Sequence, residues 1–296
     1  MPPIHSGPMS SSGGPPMRDA TLDDLPAIAG LRESVGWGVN EWALRIVIGQ
    51  PFARCVVVDG PDGNGLAGVG SGIVYGPLGF VGNMIVAEAH RRRGIGSAIL
   101  AAVANYLTDA GCRRLELNAT SDGRALYERH GFASIGRSAA TRLPRHVELT
   151  RDPTVSLGRT DAGRVADLVA YDRPRFGGDR SHLFEHLHAD PGVAFVAARR
   201  GGTMVGYACL RTDAPRVGPL LADEPSVAAT LLAEAFDLLP DATELRLNLP
   251  PNNRPGAAWL RGLGASIEPW DGRMARGDEL PKRDETIYGM TVGALG

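Results

Sequence analysis

Arg91-Arg92-Arg93-Gly94-Ile95-Gly96-Ser97 is the segment whose residue types point to the most definite chemistry in this chain. It lies between an apolar run, Met84-Ile85-Val86, and an amphipathic stretch from Ser97 to Ala110. The expected layout is strand, glycine-bearing turn, then helix. A turn of this kind presents backbone N–H groups to a diphosphate, and the helix adds its positive N-terminal end. Gly94 and Gly96 allow a tight turn and close approach of an anion. The Ser97 hydroxyl and the arginine side chains can add charge-assisted hydrogen bonds. Taken alone, the segment reads more readily as an ordinary glycine turn carrying surface arginines. A second segment further along the chain, Leu126-Tyr127-Glu128-Arg129-His130-Gly131-Phe132, tips the balance.

Together these motifs resemble the acetyl-CoA-dependent N-acyltransferases of the GNAT superfamily. The likeness covers roughly residues 17 to 140, and its elements come in the family's order. Arg18-Asp19-Ala20-Thr21 leads into a first helix, and a hairpin region comes next near 54 to 75. A strand at 80 to 86 precedes the Arg/Gly turn and its helix; a strand at Leu115 to Asn118 precedes a helix bearing Tyr127. The resemblance implies acetyl-CoA as cofactor and an amine as acceptor, and a second copy packed as a wall across the acceptor opening favours the amine of a small molecule. It implies that Arg91, Arg92, Arg93, Gly94, Ile95, Gly96 and Ser97 hold the pyrophosphate. It also implies that the edge of Met84, Ile85 and Val86 pairs with the pantetheine arm and polarises the thioester carbonyl, an oxyanion-hole role.

Tyr127 is the expected general acid, a phenol within reach of a departing thiolate; the plain reading is an aromatic packed in a core. Thr120, where many relatives carry Asn, is expected to cap the helix of Tyr127, with contact to the cofactor's arm as the lesser reading. The base is not evident. Where many relatives place a carboxylate, this chain has Phe80-Val81-Gly82-Asn83-Met84. Asn83 can position a water but cannot take a proton, so water relays it or another group does. Glu33 and Asp172 are the candidates, each also readable as an ordinary surface carboxylate. Trp37, with Trp42, sits where relatives have a substrate loop, and Asp172, Arg180 and Arg273 are polar candidates facing it.

The chain also carries an internal echo. Leu115-Glu116-Leu117-Asn118 precedes a helix ending at Gly131; Leu245-Arg246-Leu247-Asn248 precedes one ending at Gly264. The hairpin of Ala53 to Gly70, with its turn Pro61-Asp62-Gly63-Asn64-Gly65, has a counterpart in Val193 to Leu210, turning at Arg200-Gly201-Gly202. Thr21 and Thr160 each offer an N-cap to a helix. The expected division is a flexible tail over 1–16, an acetyl-CoA-binding unit over 17–150 and a degenerate copy over 151–296. The expected fold class is α/β (α+β): two tandem GNAT folds, each a mixed, mostly antiparallel sheet flanked by helices. In the second copy Gly218-Pro219-Leu220-Leu221-Ala222-Asp223-Glu224-Pro225 replaces the Arg/Gly turn. Two carboxylates would repel a diphosphate, Pro225 lacks a donor, and Leu260 stands in the place of Tyr127.

Composition narrows the rest. Of 296 residues, 43% are hydrophobic and 22% charged, enough for real cores, and a net charge of −2 gives no basic field for nucleic acid. Lys282 is the sole lysine, a skew that reads as coding bias rather than chemistry. Cys55, Cys112 and Cys209 are too few and too scattered for a disulfide framework or a zinc site, which points to the cytoplasm. No apolar run reaches the ~20 residues of a membrane span. His182 and His186 share a helix face, but Leu183, Phe184 and Leu187 make the apolar stripe, so the histidines belong to the wet side and no metal is expected. A homodimer is left open. Two rival readings stand: a tandem GNAT acting in thiol-cofactor synthesis or aminoacyl transfer, and an acyl-CoA sensor without turnover, favoured only by the missing carboxylate at Asn83.

Overall fold

A computed structural model describes residues 16–61, 63, 65–291, 293, 295 and 296. The tail expected over 1–16 lies outside them except for Pro16, as do Asp62 and Asn64 of the first hairpin turn. The first half of the chain runs β1 (Met17–Asp19), α1 (Leu25–Glu33), α2 (Glu41–Val47), β2 (Ala53–Asp59), β3 (Leu66–Tyr75), β4 (Leu78–Val86), α3 (Ile95–Asp109), β5 (Arg114–Ala119), α4 (Ser121–Arg129) and β6 (Ala133–Pro144). The second half repeats the order: β7 (Ser156–Arg159), α5 (Val165–Phe176), α6 (Ser181–His188), β8 (Val193–Arg200), β9 (Thr203–Arg211), β10 (Val217–Ala222), α7 (Pro225–Leu238), β11 (Glu244–Leu249), α8 (Arg254–Gly262) and β12 (Ser266–Gly277). A further strand, β13 (Ile287–Gly289), has no counterpart among the described residues of the first half.

The echo extends to hydrogen bonds. Ala20 N–H donates to Cys55 O at 2.8 Å, and Thr160 N–H to Phe195 O at 2.9 Å. This equivalence corrects the expected capping. Thr160 matches Ala20, not Thr21, and its buried hydroxyl finds no hydrogen-bond partner among the described residues. Asp161 is the true counterpart of Thr21, since each accepts through its carbonyl from the N–H three residues on. Thr21 itself is held as expected, its N–H donating to the Asp24 carboxylate at 2.8 Å.

The two halves exchange strands. One sheet runs β1-β2-β3-β4-β5-β12-β6-β11, and the other runs β13-β10-β9-β8-β7. The sixth strand of each half therefore lies across the other half's territory: β12 fits antiparallel between β5 and β6, and β6 between β12 and β11. A parallel bridge from Arg216 to Arg246 joins β11 to the approach of β10. By role, the strands run one to five, then the exchanged pair, then five to one again.

The exchange presses the helical faces of the halves together. α1 and α2 share a single apolar cluster with α5 and α6, including Ile28, Leu44, Phe80, Phe184 and Phe195, while separate clusters lie beneath α3 and α7. Cation–π and stacking contacts cross the seam: Arg211 lies 5.0 Å over Trp42, and His182 stacks on Phe52 at 5.5 Å. Among the described residues, no helix is long and apolar enough to cross a membrane.

Charge is buried along the same seam. Glu116 on β5, 2% exposed, accepts from Arg273 on β12 at 2.9 Å and faces Lys282 at 3.3 Å. Burial alone would raise its carboxyl, but Arg273, then Lys282 and Arg114, outweigh burial and hold it at about 2. Its stabilising contribution is complete above an ordinary carboxyl value of 4.5 and is lost as pH falls toward 2. Glu116→Gln is expected to cost about 3–5 kcal/mol in urea unfolding at pH 7, because it strands buried cations. The gap from the parent chain should narrow as the pH falls from 4.5 to 2. A gap that does not change with pH would show that the carboxylate carries none of this stability.

Candidate functional site

The Arg/Gly segment folds as expected. After β4 the chain makes a short turn in which Arg92 (φ 60) and Gly94 (φ 81) take left-handed conformations. Gly94 is the N-cap of α3 and carries no side chain that could close the helix end. The first helical bond is Ala98 N–H to Gly94 O at 3.0 Å, so the N–H groups of Ile95, Gly96 and Ser97 stand ahead of the ladder. A Cβ built on Gly94 would meet nothing within 4 Å, so the mouth of this turn is open. Arg91, Arg92 and Arg93 are exposed, and the Arg91 Nε donates to Val86 O at 3.2 Å. The Ser97 hydroxyl lies 3.1 Å from His130 Nε2, which ties the turn to the end of α4.

Beside the turn, the sheet opens. β4 and β5 pair in parallel only from Leu78 with Arg114 to Val81 with Leu117. Beyond Val81 no strand among the described residues pairs with β4 on that side, so Asn83, Met84, Ile85 and Val86 flank a gap. Within this stretch the register of β3 against β4 shifts, so that two residues of β4 oppose one of β3. Asn83 sits at that bulge with a φ of 52, a conformation asparagine tolerates better than most residues. Met84 packs toward α3, whereas Ile85 belongs to the cluster shared with the second half.

Tyr127 is 5% exposed on the inner side of α4, edge-on to Phe132 with ring centroids 6.2 Å apart. Thr120 does cap this helix, accepting from Gly123 N–H at 3.3 Å. The amide of Asn83 is engaged at both ends. Its Oδ1 accepts from Arg32 Nη1 at 2.5 Å, and its Nδ2 donates to Ser71 Oγ at 3.0 Å. Sequence reasoning overlooks Arg32. It singles out the neighbouring Glu33, yet Glu33 faces solvent, and the helical phase of α1 points Arg32 inward instead. The signal is present: an arginine one position from the polar face of an amphipathic helix. Arg32 also holds Gly38 O through Nε and Nη2, at 3.2 and 3.1 Å, and lies 5.7 Å from the Trp37 ring.

The second half supplies the opposite wall. Phe176, Arg180, Arg273 and Lys282 line one cavity with Leu78 and Glu116 of the first half. Asp172 does not face that space as a free carboxylate. It accepts from Arg180 at 2.5 and 3.0 Å and from the Tyr207 hydroxyl at 2.6 Å, and it is 1% exposed. Both of its oxygens are taken up by donors from within the second half, and Glu33 is turned to solvent. The two expected base candidates are therefore set aside.

The second half's own gap is filled from within. β13 pairs antiparallel with β10, Leu220 opposite Gly289, and Met290 N–H donates to Asn248 O of β11 at 2.7 Å. A Cβ on Gly218 would lie 2.1 Å from Met290 O, so the glycine is what admits the strand. β10 leads through Asp223 and Glu224 straight into α7, with Pro225 in its first turn. Both carboxylates are paired, Asp223 with Arg175 and Glu224 with Arg200. Leu260, the counterpart of Tyr127, is wholly buried.

Comparison with known proteins agrees with this geometry. Residues 27–132 match the acetyltransferase (GNAT) family, and residues 168–289 match an acetyltransferase (GNAT) domain. A Bacillus subtilis (strain 168) protein described as the uncharacterized N-acetyltransferase YitH is 29% identical over 162 residues. That alignment covers 54% of this chain and 56% of the relative, little more than half of the relative's length. A putative acetyltransferase from Pyrococcus horikoshii superposes with a TM-score of 0.79 at 23% identity, covering 99% of both chains. A tandem GNAT protein from the clavulanic acid biosynthesis pathway does so with a TM-score of 0.59 at 17% identity, over 88% of this chain and 98% of its own. The chain belongs to the GNAT superfamily, as a protein of two tandem GNAT folds.

Proposed function

We propose that this chain is an acetyl-CoA-dependent N-acetyltransferase that acylates the amine of a small molecule within a ternary complex, using the first half alone for the cofactor. Segments 17–150 and 151–296 are then a binding unit and its degenerate partner, joined through their exchanged strands. One observation carries the reading. The two halves share a fold, but the gap beside β4 is open and adjoins a turn whose N–H groups precede the first intrahelical bond, whereas the gap beside β10 is filled by β13.

Acetyl-CoA supplies an acyl thioester, and the residues around the β4 gap fit such a molecule. The N–H groups of Ile95, Gly96 and Ser97, at the positive end of α3, suit a diphosphate, with Arg91, Arg92 and Arg93 adding charge. The unpaired edge at Met84, Ile85 and Val86 suits an amide-bearing arm that bonds as a strand would. An N–H of that edge would stabilise negative charge on a carbonyl oxygen, a role worth about 3–4 kcal/mol. Tyr127 would donate a proton from its hydroxyl to the departing sulfur. Thr120 acts through α4, whose position it fixes.

A second reading, a binder without turnover, is favoured by one specific feature. Two carboxylates on the proposed acceptor face are already committed to cations of this chain: Glu116 is held at about 2 by Arg273 and Lys282, and Asp172 accepts from Arg180 and Tyr207. Under the transferase reading, ordered water between the amine and Asn83 carries the proton away.

Gly94→Val forces a β-branched residue into a left-handed conformation. Calorimetry with acetyl-CoA should show at least about tenfold weaker binding, equivalent to ~1.4 kcal/mol. Unchanged affinity would remove the turn from the site. Tyr127→Phe should lower kcat in a thiol-release assay by about 10²-fold or more while leaving the acetyl-CoA affinity alone. Unaltered turnover would reduce Tyr127 to packing, and no thiol release from the parent chain across a broad amine panel would favour the binder.

A further inference from the structure

Among the described residues, three arginines are buried: Arg32, Arg180 and Arg273. Two of them have a carboxylate. Arg180 meets Asp172 at 2.5 Å, and Arg273 meets Glu116 at 2.9 Å. Arg32 is 7% exposed and forms no ion pair among the described residues; its partners are the neutral oxygens of Asn83 and Gly38. Those bonds use three of the five guanidinium N–H groups and leave two without an acceptor among the described residues. A buried charge is costly unless it is paired. The chain meets that cost at the two sites along its seam and leaves it unmet at the third.

The third site is at the mouth of the gap. Arg32 hydrogen-bonds the residue at the β4 bulge, and the same guanidinium fastens the loop between α1 and α2 through Gly38 and lies near Trp37. It lies on the face of β4 opposite α3, away from the turn that would bind a diphosphate. We infer that Arg32 is the counter-charge for a carboxylate on the acceptor, so that the substrates are amines that also carry a carboxylate. This rests on the transferase reading for the word acceptor, while the anion site itself stands on the geometry around Arg32. Planar N–H donors of a guanidinium match a carboxylate well, and Trp37 would bound the space beside it. Burial pushes the Arg32 guanidinium pKa down, and an incoming carboxylate would reverse that shift.

The test uses the full chain and paired probes, amino acids of increasing chain length and their carboxamides. Thermal unfolding is followed as each probe is titrated, with and without acetyl-CoA. At least one carboxylate should raise the Tm at concentrations about tenfold or more below those its amide requires, the usual worth of a hydrogen-bonded charge. Arg32→Gln should bring that ratio close to one, and Arg32→Lys should restore part of it; circular dichroism reports whether each variant is folded. Equal response to acid and amide, no response to any probe, or a preference that persists in Arg32→Gln overturns the inference. Should Arg32→Gln fail to fold, the acid-to-amide ratio in the parent and in Arg32→Lys still decides. Thiol release measured with the same pairs separates the two claims. Carboxylate-dependent binding without release rejects the transferase reading and keeps the site; release from amides and acids alike keeps the transferase and rejects the site.

Discussion

The exchange of β6 and β12 is the constraint on which the rest of the architecture depends. Each strand completes the other half's sheet, so neither half closes without its partner. Once β12 lies between β5 and β6, Arg273 is carried beside Glu116, and the helices α5 and α6 are drawn against α1 and α2. One apolar cluster then serves both halves. A face that would be open in a lone half becomes a walled cavity, lined by Leu78 and Glu116 on one side and Phe176 and Arg180 on the other. Long-range pairing of this kind is slow to form, because strands far apart in the chain must meet before either sheet edge is covered.

The local parts of the site were legible in the sequence, and the pairings that join its parts were not. The turn at Gly94, the capping by Thr120, the two hairpins and the repeat of strand and helix all obey short-range rules: left-handed glycines, side-chain acceptors at helix starts, apolar alternation. The partner of β5 does not. Antiparallel strands recognise one another through backbone groups common to every residue, so nothing in Ser266 to Gly277 names β5 and β6, rather than β11 of its own half, as its neighbours. The same limit explains the shifted counterpart of Thr21. The echo fixed the repeat to within a residue, and only the hydrogen bonds of Ala20 and Thr160 settled the phase. Arg32 and Glu33 differ by one step of about 100° around a helix, and that step decides which of them reaches Asn83.

Buried charge in this protein tracks the seam rather than the surface. Asp172 with Arg180, and Glu116 with Arg273 and Lys282, lie where the halves meet, and each carboxylate has hydrogen bonds that satisfy it. Such pairs add little net stability over apolar packing, but Glu116, whose partners come from the other half, penalises any misaligned docking that would leave a charge alone. In a molecule whose halves are near-copies, alternative pairings of equivalent strands are a real hazard. Polar contacts that match in one register only make those alternatives costly.

The two gaps show how one fold deals with an unpaired strand edge in two ways. A parallel pair that splays, as β4 from β5, exposes N–H and C=O groups that must find partners or water. In the second half the chain itself meets the need. Ile287 to Gly289 pair with β10, Met290 reaches β11, and Gly218 clears the room. A peptide strand and an arm that carries amide groups offer an edge the same donors and acceptors, so either can occupy such a gap. A half that closes its gap with its own backbone has no edge left for a ligand. It keeps its shape without one and can serve as a fixed wall for its twin. The front gap has no such strand beside Met84 to Val86 among the described residues, and it adjoins a helix start with arginines around it, where the second half has carboxylates.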